Sequence, residues 1–276
     1  MTDTRRLAVI GCGIMGEAIV GGLLRAGLLG AREVVATARR QDVADALAER
    51  HGITATIDNL VACAAADTVL LTLKPQRIAK VIHQPGIREA LAGKLVVSIA
   101  AGVTLTQLAG WLPQSSVIRA MPNTPCLIGE GMTVLARGPG VGDSEVAAVS
   151  RLFETVGRCI EVEDKLMDAV TSLGGSGPAF VYVMIEAMAD GGVMMGLPRP
   201  VALQIAAQVF QGAARMVLQT SRHPAALKDQ VTTPAGCTIA GILTMEDGRI
   251  RSVLARTIQE ATRVAGELGK DAAADR

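Results

Sequence analysis

The run Gly11-Cys12-Gly13-Ile14-Met15-Gly16 is a GxGxxG motif between an aliphatic stretch, residues 6–10, and a helical pattern from Ile14 to Ala26. A dinucleotide pyrophosphate needs that context. Gly11 permits the tight turn, Gly13 lets the backbone approach the phosphates, and Gly16 lets the helix pack close to its strand. The free N–H groups and positive dipole end of the helix then face the anion. The second strand, Glu33–Thr37, selects the dinucleotide. NAD sites usually carry an acid at the far end of that strand to hold the ribose 2′-hydroxyl. Here Glu33 stands at the near end, and the strand runs out into Thr37, Ala38, Arg39 and Arg40. Small and cationic residues suit a 2′-phosphate, so NADPH is the expected cofactor and NADH the alternative. The bland reading of Arg39 and Arg40 is a pair of solvated surface charges.

Three further segments follow strands: Lys74-Pro75 after Thr68–Leu73, Ser98-Ile99-Ala100-Ala101-Gly102 at the end of Leu95–Ile99, and Met121–Pro125. Each alone reads as a structural turn. Together they stand at the carboxyl edge where open α/β sheets bind ligands. In the other half, Asp168–Pro178 sets glycines and hydroxyls between two helices, as a hinge with Pro178 starting the next helix would. Farther on, Thr233-Pro234-Ala235-Gly236 leads into another helix. The backbone amides of Gly236, Cys237 and Thr238 would there be exposed at a helix N-terminus suited to a carboxylate, with the Thr238 hydroxyl beside it. Thr232 or Thr233 acting only as a helix cap is the competing reading.

The elements that must hold these residues follow from pattern. Residues 6–10 and Glu33–Thr37 read as strands, and the continuous apolar runs Thr68–Leu73 and Leu95–Ile99 as parallel strands buried on both faces. Val117–Ala120, Met132–Ala136 and Arg158–Val162 extend the sheet. Strands alternating with helices through residue 162 predict an α/β, Rossmann-like dinucleotide-binding domain over 1–162. After Val162 no strand is expected. Ala179–Met195, Val201–Thr220, a helix after Pro234 and Ile250–Leu268 make 163–276 an all-α domain for dimerisation and substrate binding, with residues 270–276 a frayed tail. Several of these helices have little polar face, so the economical arrangement is a homodimer through this half.

The 276 residues carry 27 Lys plus Arg against 26 Asp plus Glu, which leaves no basic footprint for nucleic acid. Aromatics are 2%, too few to stack single-stranded bases. Half the residues are hydrophobic and the mean hydropathy is +0.37, which excludes a disordered chain and suggests apolar surface buried between subunits. No run of about 18–20 consecutive apolar residues occurs, so neither a membrane partner nor a secretory leader is expected. Five cysteines without CxxC spacing fit reduced thiols in the cytoplasm, and His51, His83 and His223 lie too far apart to suggest a metal site.

Motifs along nearly the whole chain resemble the pyrroline-5-carboxylate reductase family: GCGIMG, LKP, SIAAG, MPNTP, DAVTSLGGSGPAF and, most specific, HPAALKDQVTTPAGCTIAGI. Two departures are small. Pro234-Ala235-Gly236 stands where the family often shows Pro-Gly-Gly, and Gly174-Gly-Ser-Gly where it shows Ser-Gly-Ser-Gly. The resemblance implies reduction of a cyclic imine to proline by NAD(P)H, with carboxylate held near Gly236, Cys237 and Thr238 and the Thr238 hydroxyl at the ring nitrogen. A protonated imine is already electrophilic, so orientation and a dry pocket matter more than a nucleophile or metal. The resemblance also implies that Asn59 lies at the adenosine ribose, and Thr72, Leu73, Lys74, Pro75 and Ser98–Ala101 at the nicotinamide half. Asp164 would contact substrate and Gln230 cofactor, and an intertwined helical dimer, often assembled further, would complete the sites. Another cyclic imine is an alternative substrate. A β-hydroxyacid dehydrogenase would carry a Lys shortly after Gly177, where Pro178–Met184 has none. A non-catalytic NADP(H)-sensing module would have no use for the Thr233–Thr238 loop.

Overall fold

Leu7–Ile10, Val34–Thr37 and Thr68–Leu71 are each buried at every position, because helices cover both faces of the sheet they enter. The computed structural model describes residues 6–274, with side chains to residue 267. Eight strands form one sheet: β1 (Leu7–Ile10), β2 (Val34–Thr37), β3 (Thr54–Thr56), β4 (Thr68–Leu71), β5 (Leu95–Ser98), β6 (Ser116–Met121), β7 (Gly131–Arg137) and β8 (Gly157–Glu161). Their order is β3-β2-β1-β4-β5-β6-β7-β8, parallel throughout except between β6 and β7. The first six follow the doubly wound nucleotide-binding order, whose crevice opens where the chain reverses between β1 and β4. β3 was not anticipated: three residues with none fully buried show too little apolar pattern.

Seven helices accompany these strands: α1 (Ile14–Arg25), α2 (Gln41–His51), α3 (Asn59–Ala64), α4 (Pro75–Ile82), α5 (Ile87–Leu91), α6 (Leu105–Trp111) and α7 (Asp143–Glu154). Alternate residues of each strand feed two apolar layers. Val9, Val97, Ile118 and Leu135 pack on one face, and Ile10, Leu71, Val96 and Val117 on the other. Full burial of each such side chain contributes about 1.5–3 kcal/mol.

The remaining helices are α8 (Met167–Val170), α9 (Gly177–Met194), α10 (Arg199–Thr220), α11 (Pro224–Gln230), α12 (Cys237–Asp247) and α13 (Ile250–Ala274). The expected hinge between α8 and α9 is instead a π-helical turn, Thr171–Ser176, so the helical path is unbroken. Pro178 removes the donor that an α-helix would aim at the Gly174 carbonyl. Asn123 Nδ2 donates to that carbonyl at 3.0 Å in its stead. The chain end also departs from expectation, since α13 is helical through Ala274; residues 275–276 lie outside the described ones.

Two compact units result among the described residues: 6–176 together with 260–274, and 177–259. This division differs from a boundary at 162/163. Met167 is fully buried in the apolar layer of the sheet, so the segment after 162 packs with the strands, and a Cβ at Gly266 of α13 would stand 3.2 Å from Asp168 Oδ2 in that segment. The second unit has a small core of Ala189, Ala202 and Ala206 with Ile185 and Val193 against it. Much of its apolar surface stays exposed, including Val183, Met194, Val209, Leu218 and Leu243. Among the described residues, α10 is the one helix long and apolar enough to cross a membrane. Gln204, Gln208, Gln211, Arg215 and Gln219 fall on one stripe of it, at helical spacing.

Candidate active site

The glycine loop is held by its neighbours rather than by its own side chains. Gly11 has φ +78, and a Cβ there would stand 2.4 Å from Leu73, so only glycine fits the turn. The buried Thr37 at the end of β2 is the anchor. Its hydroxyl accepts from Gly11 N–H at 2.9 Å and donates to Asn59 Oδ1 at 2.9 Å, while its carbonyl accepts from Cys12 N–H at 2.7 Å. Asn59, the first residue of α3, also donates to Gln84 at 3.2 Å. Just beyond β4, the Thr72 hydroxyl lies 2.9 Å from the Gly11 carbonyl. Thr72, Cys12 and Val9 leave no room for a side chain at Gly16.

A Cβ at Gly13 would meet almost nothing, and Gly13 caps α1 without any side-chain bond. The first amides of α1 are therefore open toward the carboxyl edge of the sheet, with exposed Ile14 and half-buried Met15 following. These features fit a dinucleotide pyrophosphate. Cys12 is structural: burial, then the negative charge of Glu17, pushes its thiol up to about 12. Glu33 is used locally, accepting from Gly30 N–H, so no carboxylate stands beside Thr37 on β2. Arg39 and Arg40 are exposed just beyond it. Arg40 pairs with Asp42 at 3.1 Å, and Arg39 has no ion-pair partner among the described residues.

Farther along the same edge, Lys74 is exposed and Pro75 begins α4. Ser98 is buried at the end of β5, and its hydroxyl accepts from Ala100 N–H at 3.3 Å, tightening the turn through Ile99 and Ala101. Asn123 makes a clamp: besides the Gly174 carbonyl, it accepts from Met132 N–H at 2.9 Å. Asp164 begins a 3₁₀ turn before α8, and Arg119 of β6 donates to it at 3.0 Å. Sequence reasoning missed Arg119. Its signal was a single charge within the apolar strand Val117–Met121, followed later by Asp164 and Asp168 at helical spacing.

Gln230, Gly236, Cys237 and Thr238 lie in the second unit. Gln230 is exposed on the last turn of α11. Gly236 caps α12 with no side-chain bond, leaving the amides at Cys237 and Thr238 open, and Thr238 is half-buried on the first turn. Gly236 sits so close to Thr233 that a Cβ would approach its hydroxyl to 2.6 Å. Ala235 takes the left-handed conformation, φ +55, that a glycine would occupy more cheaply. The turn geometry is thus kept despite the substitution. No group of side chains able to hold a metal ion occurs among the described residues.

Comparison with known proteins adds three findings. Residues 164–268 match the family profile described as pyrroline-5-carboxylate reductase dimerisation, and residues 6–102 match one described as NADP oxidoreductase, coenzyme F420-dependent. A pyrroline-5-carboxylate reductase of Schizosaccharomyces pombe is 42% identical, over 95% of this chain and 98% of its own length. Among solved structures, a pyrroline-5-carboxylate reductase from Coxiella burnetii aligns with TM-score 0.90 at 32% identity, covering 96% of this chain and 98% of its own. The Plasmodium falciparum enzyme, solved with NADP bound, aligns with TM-score 0.86 at 25% identity, covering 98% and 100%.

Proposed function

The chain belongs to the pyrroline-5-carboxylate reductase family, and we propose that it reduces the cyclic imine 1-pyrroline-5-carboxylate to L-proline with NADPH, the last step of proline synthesis. The observation that carries this reading is the free N-terminal turn of α12 at Gly236–Thr238, joined in one chain to the glycine loop at Gly11–Gly16. When bound, NADPH supplies a hydride to the carbon of the C=N bond. Gly11, Cys12, Gly13, Ile14, Met15 and Gly16 would hold its pyrophosphate. Arg39 and Arg40 would face the 2′-phosphate and Asn59 the ribose, while buried Thr37 would serve the cofactor by anchoring the glycine loop. Thr72–Pro75 and the turn Ser98–Ala101 would stand at the nicotinamide half, and Gln230 would add a cofactor contact.

Substrate carboxylate is held on the amides of Gly236, Cys237 and Thr238, where helix donors favour an anion. The Thr238 hydroxyl hydrogen-bonds the ring nitrogen, whose proton makes the adjacent carbon electrophilic. The family resemblance assigns Asp164 to the substrate as well. The exposed apolar faces of α9, α10 and α12 are buried against a second copy, giving a homodimer. The five unpaired thiols suit the cytoplasm.

The test is NADPH consumption on adding 1-pyrroline-5-carboxylate, with a six-membered cyclic imine carboxylate and a β-hydroxyacid as comparisons. Rapid turnover of the five-membered imine with formation of proline is expected. Faster turnover of the six-membered ring reassigns the substrate, and nucleotide binding without turnover of any of them refutes the reading.

A further inference from the structure

Among the described residues, Arg119 is the largest fully buried side chain, although it carries a charge. A cation of that kind costs several kcal/mol to bury unless it is paired and fully hydrogen-bonded. Its pairing is incomplete. Nη1 donates to Asp164 Oδ1 at 3.0 Å, and Nη2 stands 3.6 Å from Asp168 Oδ1, beyond hydrogen-bond reach. Nε and Nη2 have no hydrogen-bond partner. An apolar residue would fill this strand position at lower cost, so the guanidinium has a use outside packing.

Its place in the sheet indicates the use. Arg119 is register partner of Ser98, where β5 ends in the Ser98–Ala101 turn. Two residues beyond it β6 ends, and Asn123 then clamps the Gly174 carbonyl. Asp164 and Asp168 flank the buried Met167 and remain partly exposed. Asp168 also lies close to α13, where a Cβ at Gly266 would stand 3.2 Å from its Oδ2. One cation between two carboxylates leaves one net negative charge at the ligand edge of the sheet, which favours a protonated imine over a neutral one.

We propose that Arg119 is a positioning residue that fixes the Asp164 carboxylate, and through it the cationic ring nitrogen of the substrate. This rests on the reading above, which gives Asp164 to the substrate. Arg119→Lys keeps the charge but loses the planar fork whose Nη1 bonds Asp164.

The experiment is a double-mutant cycle of Arg119→Lys with Asp164→Asn. It reads kcat/KM and KM for the imine, KM for NADPH, and proline affinity by calorimetry without nucleotide. Arg119→Lys is expected to raise the imine KM and weaken proline about tenfold while the NADPH KM stays put, and to do almost nothing further once Asp164 is Asn. If Asp164→Asn is impaired but the two effects multiply, the positioning role is overturned while the reading of Asp164 stands. An Asp164→Asn variant with wild-type kinetics and proline affinity instead overturns that reading, and the positioning role with it. Should Arg119→Lys fail to bind NADPH through misfolding, Arg119→Gln takes its place in the cycle, since it removes the charged fork that bonds Asp164 and keeps a polar side chain at the same strand position. Multiplicative effects there overturn the proposal equally.

Discussion

Replacing Thr37 by Val removes one hydroxyl from the glycine loop and almost no volume. That hydroxyl receives Gly11 N–H and reaches Asn59 Oδ1, both at 2.9 Å, and the side chain is only 1% exposed. Valine cannot accept from Gly11, so a largely buried backbone donor is orphaned, at a cost of about 1–3 kcal/mol. Asn59 is half-buried and can turn its oxygen to water, adding no more than about 1 kcal/mol. β-Branching is retained and strand propensity is unchanged, so little offsets these losses. The expected sum is about 2 kcal/mol. Gly11 forms the turn that must stay closed when a pyrophosphate binds, so a share of this loss reappears in the nucleotide affinity. A share of about 1.4 kcal/mol corresponds to tenfold in Kd. NADPH fluorescence titration reads the affinity, and urea unfolding at one fixed protein concentration reads the stability. Thr37→Ser is the control, because it keeps the hydroxyl and gives up only a methyl group. A Thr37→Val protein that binds NADPH within twofold of wild type refutes the reasoning. So does a Thr37→Ser protein that is weakened just as much.

Arg39→Glu should lower kcat/KM with NADPH by about tenfold or more and leave NADH nearly unaffected, since a charge-assisted contact contributes about 1.5–3 kcal/mol; equal losses with both cofactors would remove Arg39 from 2′-phosphate recognition. Thr238→Ala should lower kcat about 10–100-fold with cofactor affinity little changed, as for a bond used mainly in the transition state; an unchanged kcat takes Thr238 out of the mechanism. Leu218→Asp, on an exposed apolar position of α10, should halve the particle mass in light scattering, and an unaltered mass would move the interface elsewhere. Burial holds the thiols of Cys12 and Cys63 at about 12 and about 11, above the ordinary 9.0 they regain on unfolding. Their contribution to stability is therefore complete below pH 9 and declines as pH rises toward their folded values. Native protein at pH 8 should alkylate first at exposed Cys237, and equally fast labelling of Cys12 would contradict its burial.

The glycine loop was legible in the sequence because its chemistry is local. A strand, three glycines at fixed spacing and a helix occupy consecutive positions, and the apolar runs that become β1, β4 and β5 are buried on both faces as their composition predicts. The turn before α12 was readable as a helix start at Gly236, but the left-handed conformation at Ala235 emerged only from the backbone. β3 was invisible because hydrogen bonds to β2, rather than an apolar pattern of its own, make it a strand. The π turn at Thr171–Ser176 looked like a hinge because the donor that relieves Gly174, Asn123, lies 51 positions away. Arg119 was missed for a related reason. A lone arginine in an apolar strand has no stated purpose until the fold brings Asp164, 45 residues on, to within 3.0 Å of it. Sequence by itself determined the turns and periods, since steric limits on φ and ψ and the burial of apolar faces act between neighbours. Only the tertiary structure decided which distant polar groups meet, because the crossovers of the sheet set those pairings, and the cost of leaving a buried charge or carbonyl unpaired then holds them in place.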